Sequence, residues 1–393
     1  MSYLVYLNHY DIRQCEAQYL SVLYEVLAKN LPAHFILNKD YIKDYSNTSR
    51  WEVRWVRNHW TSYEEIFQRL KPMNYTLIDK PEVLLDKDYY IKSLPILAPS
   101  EILRYTYENY LPNQDVFIKE AMRRMRERGE VEAGITWVNN KCFKKVLNTE
   151  GIPVIHHEMG PLRPTTYIPT IYFDYSGVNG DTEFDKRFEE FLKVADQVPI
   201  LDRKELLRIV APKNYKYLWE ILGNKSRAYD IGVGLQVEVD TNLLLFNNSR
   251  NWIDPLLAAQ RDSKAQKILV RPHPAAGISL KPTDRIEIDD VINKKALDFI
   301  NRCDKIYCLN SSVGFEALLL GRKSEIFGES PFKSLCHMDE DTLLKALNFT
   351  IFGYLIHRDL LFNEDYYKFR LGVKDEVEIY KDNMKRLLEK AKA

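Results

Sequence analysis

Residues 305–321 read KIYCLNSSVGFEALLLG, and this stretch decides the fold class. Its first five residues, Lys305–Leu309, are apolar enough to form a buried strand. The apolar spacing over Val313–Leu320 predicts a helix directly after that strand, and Gly321 is placed to end it. A short strand that leads through a tight polar turn into a helix is the repeating unit of a parallel, Rossmann-like sheet.

The same alternation of strands and helices occurs in both halves of the chain. Strands are predicted at Tyr3–Leu7, His34–Leu37, Ile135–Val138, Pro153–His157, Leu235–Val239, Ile268–Val270, Arg285–Ile288, Lys305–Leu309 and Ser324–Phe327. Helices are predicted at Cys15–Lys29, Leu103–Tyr110, Val116–Arg128, Cys142–Thr149, Trp252–Asp262, Lys294–Arg302 and Val313–Leu320, with a charged helical stretch over 181–229 and an all-helical tail after Glu340. We therefore predict an α/β fold of two Rossmann-like domains that face each other across a cleft, followed by a helical segment. The predicted domains are 1–225, 226–340 and 341–393.

The overall composition excludes several classes of protein. The chain has 393 residues, enough for two α/β domains, and its 56 basic and 56 acidic residues give a net charge of zero. A nucleic-acid-binding protein usually has a basic excess, so nucleic acid is not an expected partner. The five cysteines have no metal-finger spacing, and no signal peptide or apolar run of about 18 residues is present. These features predict a cytoplasmic protein with reduced cysteines.

Polar side chains follow four of the predicted strands, where ligands of parallel sheets bind. They are Glu158, Asp240, His273 and the pair Ser311 and Ser312. Their shared position at the carboxyl ends of strands predicts one functional site.

The serine pair is the clearest candidate for a phosphate site. Ser311 and Ser312 precede a predicted helix, where unpaired N–H groups and the helix dipole attract anions. We expect Gly314 to let a ligand approach the first turn, and Glu316 to accept hydrogen bonds from ribose hydroxyls. The alternative is that the serines only cap a core helix.

A histidine between two prolines forms the second candidate. In the sequence Arg271-Pro-His-Pro274, the prolines fix the backbone on both sides of His273. An imidazole held in this way can donate a hydrogen bond to phosphate or protonate a leaving group. The alternative is a structural histidine at the end of a strand.

Two carboxylates complete the predicted site. Asp240 and Glu158 are candidates for a nucleophile and a general acid or base. On residue chemistry alone, Glu238 or Asp230 could take the place of Asp240. The run His156-His157-Glu158 is dense in metal-ligand types, but neighbouring strand residues point to opposite faces, so we expect no metal there.

Four blocks of sequence resemble one family of enzymes, the bacterial retaining β-Kdo transferases that build capsule linkers and cap some O-antigens of lipopolysaccharide. The blocks are Gln236-Val-Glu-Val-Asp-Thr-Asn242, Arg271-Pro-His-Pro274, Ser311–Gly321 and Glu158-Met-Gly-Pro-Leu-Arg163. The resemblance departs from the family pattern at Val239 and Met159, where the family often has acidic residues. No part of the chain before about residue 135 resembles that family.

The resemblance implies a GT-B-like fold and a glycosyltransferase that uses CMP-β-Kdo as its donor. It implies that Asp240 forms a covalent adduct with Kdo, and that Glu158 then activates an oligosaccharide or lipid-linked acceptor, so that configuration is retained. His273, Pro274, Ser311, Ser312, Gly314 and Glu316 would bind the nucleotide. Arg163 or Arg271 would pair with the Kdo carboxylate. No cofactor or metal is implied.

Other interpretations remain at this stage. One is a different CMP-sugar transferase of the sialyltransferase type, a second uses a UDP- or GDP-sugar, and a third is a non-catalytic module that binds a nucleotide or a glycan. The basic, weakly amphipathic stretch 381–393 is typical of a helix that contacts the inner-membrane surface, although packing of this helix across the domains is the stronger expectation.

Overall fold

The computed structural model describes residues 2–7, 22–23, 25–27, 29–38, 74–78, 104–105, 107–127, 129–137, 139–224, 227–237, 241–273, 280–291 and 295–392. Most of the predicted helix Cys15–Lys29 lies outside these residues, as do Pro274 and Glu238–Asp240. The strands are β1 (Ser2–Tyr6), β2 (Ala33–Asn38), β3 (Asn74–Ile78), β4 (Val131–Trp137), β5 (Val154–His157), β6 (Thr170–Tyr172), β7 (Tyr229–Gly234), β8 (Ile268–Arg271), β9 (Ile286–Ile288), β10 (Cys303–Cys308), β11 (Lys323–Ile326) and β12 (Leu355–His357).

The α-helices of the described residues run between and after these strands. They are α1 (Pro112–Arg126), α2 (Lys141–Thr149), α3 (Phe184–Leu192), α4 (Arg203–Val210), α5 (Tyr215–Gly223), α6 (Thr241–Phe246), α7 (Asp254–Arg261), α8 (Ala296–Asn301), α9 (Val313–Leu319), α10 (Glu340–Asn348), α11 (Glu364–Gly372) and α12 (Glu376–Lys392). A π-helical turn, Phe349–Tyr354, links α10 to β12.

The chain divides into two compact units. Unit 1 comprises residues 1–158, 174–177 and 362–369, and unit 2 comprises residues 159–173, 178–361 and 370–393. The first boundary therefore lies near residue 158, whereas the sequence analysis placed it at 225. The helices between 184 and 223 pack with unit 2, and the C-terminal residues divide between the two units rather than forming a separate segment.

Unit 1 contains a five-stranded parallel sheet in the order β3-β2-β1-β4-β5. Between β4 and β5 the chain forms α2, whose first turn is capped because the Asn140 side chain accepts a hydrogen bond from the Phe143 backbone N–H at 2.8 Å. Gly134 lets this helix lie close to β4, since a Cβ there would be 2.2 Å from Leu147 Cδ2. This βαβ unit confirms the parallel sheet predicted from its sequence.

Unit 2 contains a second five-stranded parallel sheet in the order β11-β10-β7-β8-β9. Buried hydrophobic side chains from its strands and from neighbouring turns pack with those of α7. The members of this cluster are Ile231, Val233, Leu235, Leu256, Ala259, Ala265, Ile268, Val270, Ile286 and Tyr307. Two parallel sheets of the Rossmann type confirm the predicted α/β, GT-B-like fold class.

The central strand of this second sheet was predicted in the wrong place. A strand was predicted at Leu235–Val239, but β7 runs from Tyr229 to Gly234, where no strand was predicted. β7 contains two glycines that lower its strand propensity. Gly232 leaves no room for a side chain, because a Cβ there would be 2.7 Å from Cys303 Sγ, and Gly234 is closely packed, because a Cβ there would be 3.0 Å from Val313 Cγ1.

The C-terminal residues are mainly helical, as predicted, but they are not all helical. β12 pairs antiparallel with β6 in a separate two-stranded sheet. α12 packs within unit 2, where the Asn383 side chain donates to the Phe352 carbonyl at 2.8 Å and the Tyr380 hydroxyl donates to the Pro199 carbonyl at 2.7 Å. These contacts support the packing interpretation of residues 381–393. Among the described residues, no helix is both long and apolar enough to cross a membrane.

Candidate active site at the carboxyl end of the second sheet

The strand order of unit 2 reverses at its central strand. From β7 the chain builds outward through β8 and β9 on one side, and it then returns to build β10 and β11 on the other. The carboxyl ends of β7 and β10 therefore flank the point where the connections diverge. In open parallel sheets a crevice forms at this point and binds ligands.

Two amide side chains join the strand ends at this point. The Gln236 side chain, after β7, donates to Asn310 Oδ1 at 2.8 Å, and the Asn310 backbone N–H donates back to Gln236 Oε1 at 3.1 Å. Asn310 Nδ2 also donates to the Asn242 carbonyl at 3.0 Å. Neither amide was predicted to have a role. The strand was predicted at Leu235–Val239, so Gln236 was expected within it and not after its end.

The two serines lie directly after Asn310, at the predicted strand end. Ser311 Oγ accepts a hydrogen bond from the Val313 N–H at 3.4 Å, whereas Ser312, the N-cap residue of α9, makes no side-chain capping bond. Both side chains are half-buried. Capping therefore does not explain why Ser312 is present, and its hydroxyl remains a candidate for contact with a ligand. α9 has only seven residues, so its dipole adds little to this site.

Gly314 packs closely against the second sheet. A Cβ at this position would lie 3.0 Å from Cys308 Sγ and 3.0 Å from two atoms of Ile326. The absence of a side chain therefore allows α9 to pack closely on β10 and β11. This packing is one physical reason for a glycine here, and the approach of a ligand stays a prediction.

Glu316 is a buried carboxyl group beside this crevice. Burial raises its pKa to about 7, while the neighbouring Tyr167 hydroxyl and the positive charge of Arg163 oppose the rise. The Tyr167 hydroxyl is itself buried beside the Glu316 carboxyl group. Burial and the nearby Glu316 charge also raise the pKa of Tyr167 well above its usual value.

This cluster unites two residues that the sequence analysis treated separately. Arg163 was a candidate for the donor carboxylate and Glu316 a candidate for the ribose, and both lie in unit 2 near Tyr167. Tyr167 was missed because it lies in a polar turn that carries no motif. A carboxyl group whose pKa is near neutrality can either donate or accept a hydrogen bond, which suits contact with sugar hydroxyls.

His273 follows β8, the strand next to the centre of the sheet. It lies two residues after the end of β8, and its side chain is exposed. The preceding Arg271 is engaged in a buried ion pair, since its guanidinium lies 2.5 Å from Asp289 Oδ2 while Arg302 contacts the other oxygen of Asp289 at 2.6 Å. Asp289 thus holds Arg271 at the end of β8.

Of the two arginines predicted to pair with the donor carboxylate, Arg271 is therefore already in an ion pair, and Arg163 is exposed.

The candidate carboxylates lie in different parts of the chain. Glu158 belongs to unit 1, where it follows β5 and is half-buried. Asp240 and Glu238 lie outside the described residues. Asp230 is at the amino end of β7, and its carboxylate accepts hydrogen bonds from the Gln266 and Lys267 N–H groups at 2.7 and 2.9 Å. Asp230 is therefore at the wrong end of the strand to replace Asp240.

The two histidines before Glu158 are structural. His156 is fully buried, and burial together with the charge of Lys144 lowers its pKa to about 3. His157 Nε2 lies 2.6 Å from the Tyr367 hydroxyl in the interior of unit 1. In the described parts of the chain, no group of three or more His, Cys, Asp or Glu side chains is placed to hold a metal ion.

Gly160, the glycine of the block Glu158–Arg163, packs closely against the backbone of Thr170. The Gly160 N–H donates to the Thr170 carbonyl at 2.8 Å, and a Cβ on Gly160 would lie 2.9 Å from two backbone atoms of Thr170. A larger residue would push β6 away. Gly160 thereby fixes the turn that leads to Arg163 and Tyr167.

Two successive regions of the chain match known protein families. Residues 5–183 match the glycosyltransferase 99 family N-terminal domain, and residues 217–343 match the family described as capsule polysaccharide biosynthesis protein. The two matched regions together span about three quarters of the chain. The chain is thus similar to the glycosyltransferase 99 family in one region and to capsule polysaccharide biosynthesis proteins in another, and the prediction of a glycosyltransferase is confirmed. No family resemblance was expected before about residue 135. That expectation is wrong, because the match to the glycosyltransferase 99 family N-terminal domain begins at residue 5.

Solved structures give weaker likenesses. A KpsC β-Kdo 2,7 transferase from Thermosulfurimonas dismutans is 14% identical, with 94% of this chain and 100% of that chain covered and a TM-score of 0.40. A KpsC β-Kdo 2,4 transferase from the same organism is 17% identical, with 58% and 81% covered and a TM-score of 0.40. At these scores the likenesses carry no conclusion about activity. Comparison with curated proteins gives no match.

Proposed function

We propose that this glycosyltransferase transfers Kdo from CMP-β-Kdo to a saccharide acceptor of a surface polysaccharide, with retention of configuration. The observation that supports the proposal most directly is the placement of Ser311 and Ser312 at the point where the strand order of unit 2 reverses, with His273 at the end of the neighbouring β8. These residues belong to the blocks that resemble the β-Kdo transferases. The match to capsule polysaccharide biosynthesis proteins agrees with such an acceptor.

The proposed nucleotide site suits a single phosphate. CMP carries one phosphate group, and the Ser311 and Ser312 hydroxyls with the His273 imidazole offer three donors without a metal ion. Pro274 would fix the backbone after His273. In this proposal Glu316 contacts the ribose hydroxyls and Arg163 the Kdo carboxylate. The proximity of Arg163 and Tyr167 to Glu316 supports a single site for these contacts.

The proposed chemistry is a double displacement. A carboxylate oxygen of Asp240 attacks the anomeric carbon, the bond from that carbon to the phosphate oxygen breaks, and CMP leaves with the electron pair. The acceptor hydroxyl then gives its proton to Glu158 and attacks the same carbon, which displaces Asp240. Two inversions retain the β configuration. The roles of Asp240 and Glu158 rest on the family resemblance, and a cytoplasmic location stays a prediction.

A panel of nucleotides tests the donor class. We expect CMP to raise the thermal unfolding midpoint more than UMP or GMP, since a ligand that binds only the folded state stabilises it by RT ln(1 + [L]/Kd), and at equal concentrations the tightest ligand stabilises it most. His273→Ala should weaken CMP binding at least about tenfold, because a charge-assisted contact to phosphate is lost. His337→Ala is the matched control, since His337 is an exposed histidine beside Glu325.

The outcomes separate the alternatives. A larger shift with UMP or GMP would favour a different sugar nucleotide, and unchanged CMP affinity in His273→Ala would remove this residue from the site. If CMP binds as proposed but CMP-sialic acid is consumed instead of CMP-Kdo, the enzyme is of the sialyltransferase type. If neither donor is consumed, the chain is a binding module.

A further inference from the structure

Helices α4 and α5 of unit 2 place cations over aromatic rings on one exposed surface. The Lys204 Nζ lies 4.6 Å from the centre of the Trp219 ring. The Arg208 guanidinium carbon lies 5.8 Å from the centre of the Tyr215 ring. In each pair the cation belongs to α4 and the ring to α5, and the members on each helix are one turn apart. The two helices therefore lie side by side in opposite directions, joined by a row of paired cations and rings.

This row continues into further exposed residues of the same chemistry. Trp219 is 42% exposed, and Lys204 and Arg208 are also exposed. Lys213, in the connection between the helices, and Lys216, on α5, add exposed cations. We refer to the whole set as the α4–α5 surface: Lys204, Arg208, Lys213, Tyr215, Lys216 and Trp219.

The charge of the α4–α5 surface is predominantly positive. Its acidic neighbours Asp202 and Glu205 cap α4, because each carboxylate accepts a hydrogen bond from the other residue's backbone N–H at 2.9 Å. Carboxylates at this position are matched by the positive end of the helix dipole. Glu220 is the one acidic residue of α5, and the exposed cations of the surface outnumber it. The surface should therefore attract an anionic partner.

The α4–α5 surface adjoins the turn that follows Arg163. Asn214, in the connection between the two helices, donates through Nδ2 to the carbonyls of Thr165 and Thr166 at 3.1 and 2.9 Å. Arg163 and Thr165 are themselves exposed. A partner seated on the α4–α5 surface would therefore lie beside this turn, which under the proposed function suits an acceptor carried on a lipid.

Exposed aromatic rings that alternate with lysine and arginine fit one partner in particular. Tryptophan and tyrosine favour the boundary between water and a lipid bilayer. Lysine and arginine can lay their aliphatic stems on apolar surface while their charged ends reach headgroup phosphates. Anionic lipids attract each such cation, so the rings and the cations would act together. A neutral partner would leave the cations unmatched, and a purely charged one would leave the Trp219 ring in water.

We propose that the α4–α5 surface docks unit 2 on a bilayer that contains anionic phospholipid. The lysine and arginine side chains contact headgroup phosphates, and the Trp219 ring enters the interface between headgroups and acyl chains. This surface is separate from residues 381–393. The docking requires neither CMP-Kdo nor an acceptor, so it does not depend on the proposed donor or mechanism.

The test is co-sedimentation of the full chain with vesicles of two compositions, phosphatidylcholine alone and phosphatidylcholine with phosphatidylglycerol in equal parts. Wild type should bind the mixed vesicles far more tightly, and added salt should release it. The double variant Lys213→Ala, Lys216→Ala should weaken this binding about twentyfold, at about fivefold for each cation. Trp219→Ala should weaken it about tenfold, because no ring leaves the water.

Two matched controls lie on unit 1. Tyr110 is 41% exposed and has Lys145 Nζ at 4.5 Å from the centre of its ring, so Tyr110→Ala removes an equally exposed ring with its own cation. The double variant Lys119→Ala, Arg124→Ala removes the same charge from α1, where each cation is paired with a carboxylate, at 2.9 and 2.7 Å. Both controls should bind the mixed vesicles as tightly as wild type.

Thermal unfolding shows which variants are folded. If Trp219→Ala does not fold, the Lys213→Ala, Lys216→Ala variant carries the test, because both of its altered side chains are exposed. Consumption of CMP-Kdo without vesicles should be the same in Trp219→Ala as in wild type. Failure of the docking surface and failure of the proposed donor are therefore distinguishable.

Several outcomes would overturn the docking surface. Wild type that binds neither kind of vesicle, or binds both equally, contradicts it. Binding that the Trp219 and lysine variants keep would assign the lipid contact to another surface. If wild type ignores vesicles but binds soluble polysialic acid, and the same variants lose that binding, the partner is an acidic glycan instead.

Discussion

The buried carboxyl of Glu316 gives the stability of this protein a defined dependence on pH. Its pKa is raised to about 7 from an ordinary value of 4.5, mainly by burial. Between these two values the unfolded chain releases the proton and the folded chain keeps it, so stability falls as the pH rises from about 4.5 to 7. Above pH 7 the full penalty is present, about 3 kcal/mol at about 1.4 kcal/mol per pH unit.

Glu316→Gln should remove this penalty, because glutamine has nearly the same shape and cannot ionise. The stability of the variant relative to wild type should therefore be about 2–3 kcal/mol more favourable at pH 8 than at pH 5. Comparing the two pH values cancels any change in packing that the substitution causes. Urea unfolding of the nucleotide-free proteins, followed by tryptophan fluorescence, measures the difference.

Glu220→Gln is the matched control for this experiment, since Glu220 is exposed on α5 of the same unit. It should change stability by the same small amount at both pH values. If Glu316→Gln and wild type differ equally at pH 5 and pH 8, the carboxyl is ionised without penalty, and the account of a buried group near neutrality is refuted.

Two further predictions concern packing. Gly160→Ala should destabilise unit 2 by about 1–3 kcal/mol, because its Cβ would meet the Thr170 backbone, whereas Gly223→Ala, which has open space, should be neutral or slightly stabilising in thermal unfolding. Deletion of residues 381–393 should yield insoluble protein, because it removes the buried Leu387 of α12. A folded truncated chain that no longer co-sediments with membranes would instead support a role in lipid contact.

The parts of the fold that follow from hydrophobic periodicity could be predicted from the sequence. β5, α2 and β10 combine apolar runs with clear turn residues, and the structure places them within a residue or two of their predicted bounds. β7 could not be placed correctly, because Gly232 and Gly234 look unfavourable for a strand until their tight contacts with other elements are known. β12 was missed because a three-residue strand depends on its partner β6, which lies far away in the sequence.

The same limit applies to the site. The positions of Ser311 and His273 after strand ends could be predicted, because each follows a recognisable strand. Asn310 and Tyr167 could not, since their roles depend on hydrogen bonds and burial that arise only when distant segments meet. Gly314 was identified for the approach of a ligand, which stays a prediction, whereas its contacts with the sheet cannot be inferred from its place at a helix start.

The central claim, that Asp240 accepts Kdo from CMP-Kdo, is tested most directly by mass spectrometry of the intact protein. Glu158→Gln should slow the second displacement more than the first, so incubation with CMP-Kdo should give a protein carrying one Kdo, and peptide mapping should place it on Asp240. CMP-sialic acid should give no adduct. An adduct on Glu238, or full turnover by Asp240→Asn, would contradict the account.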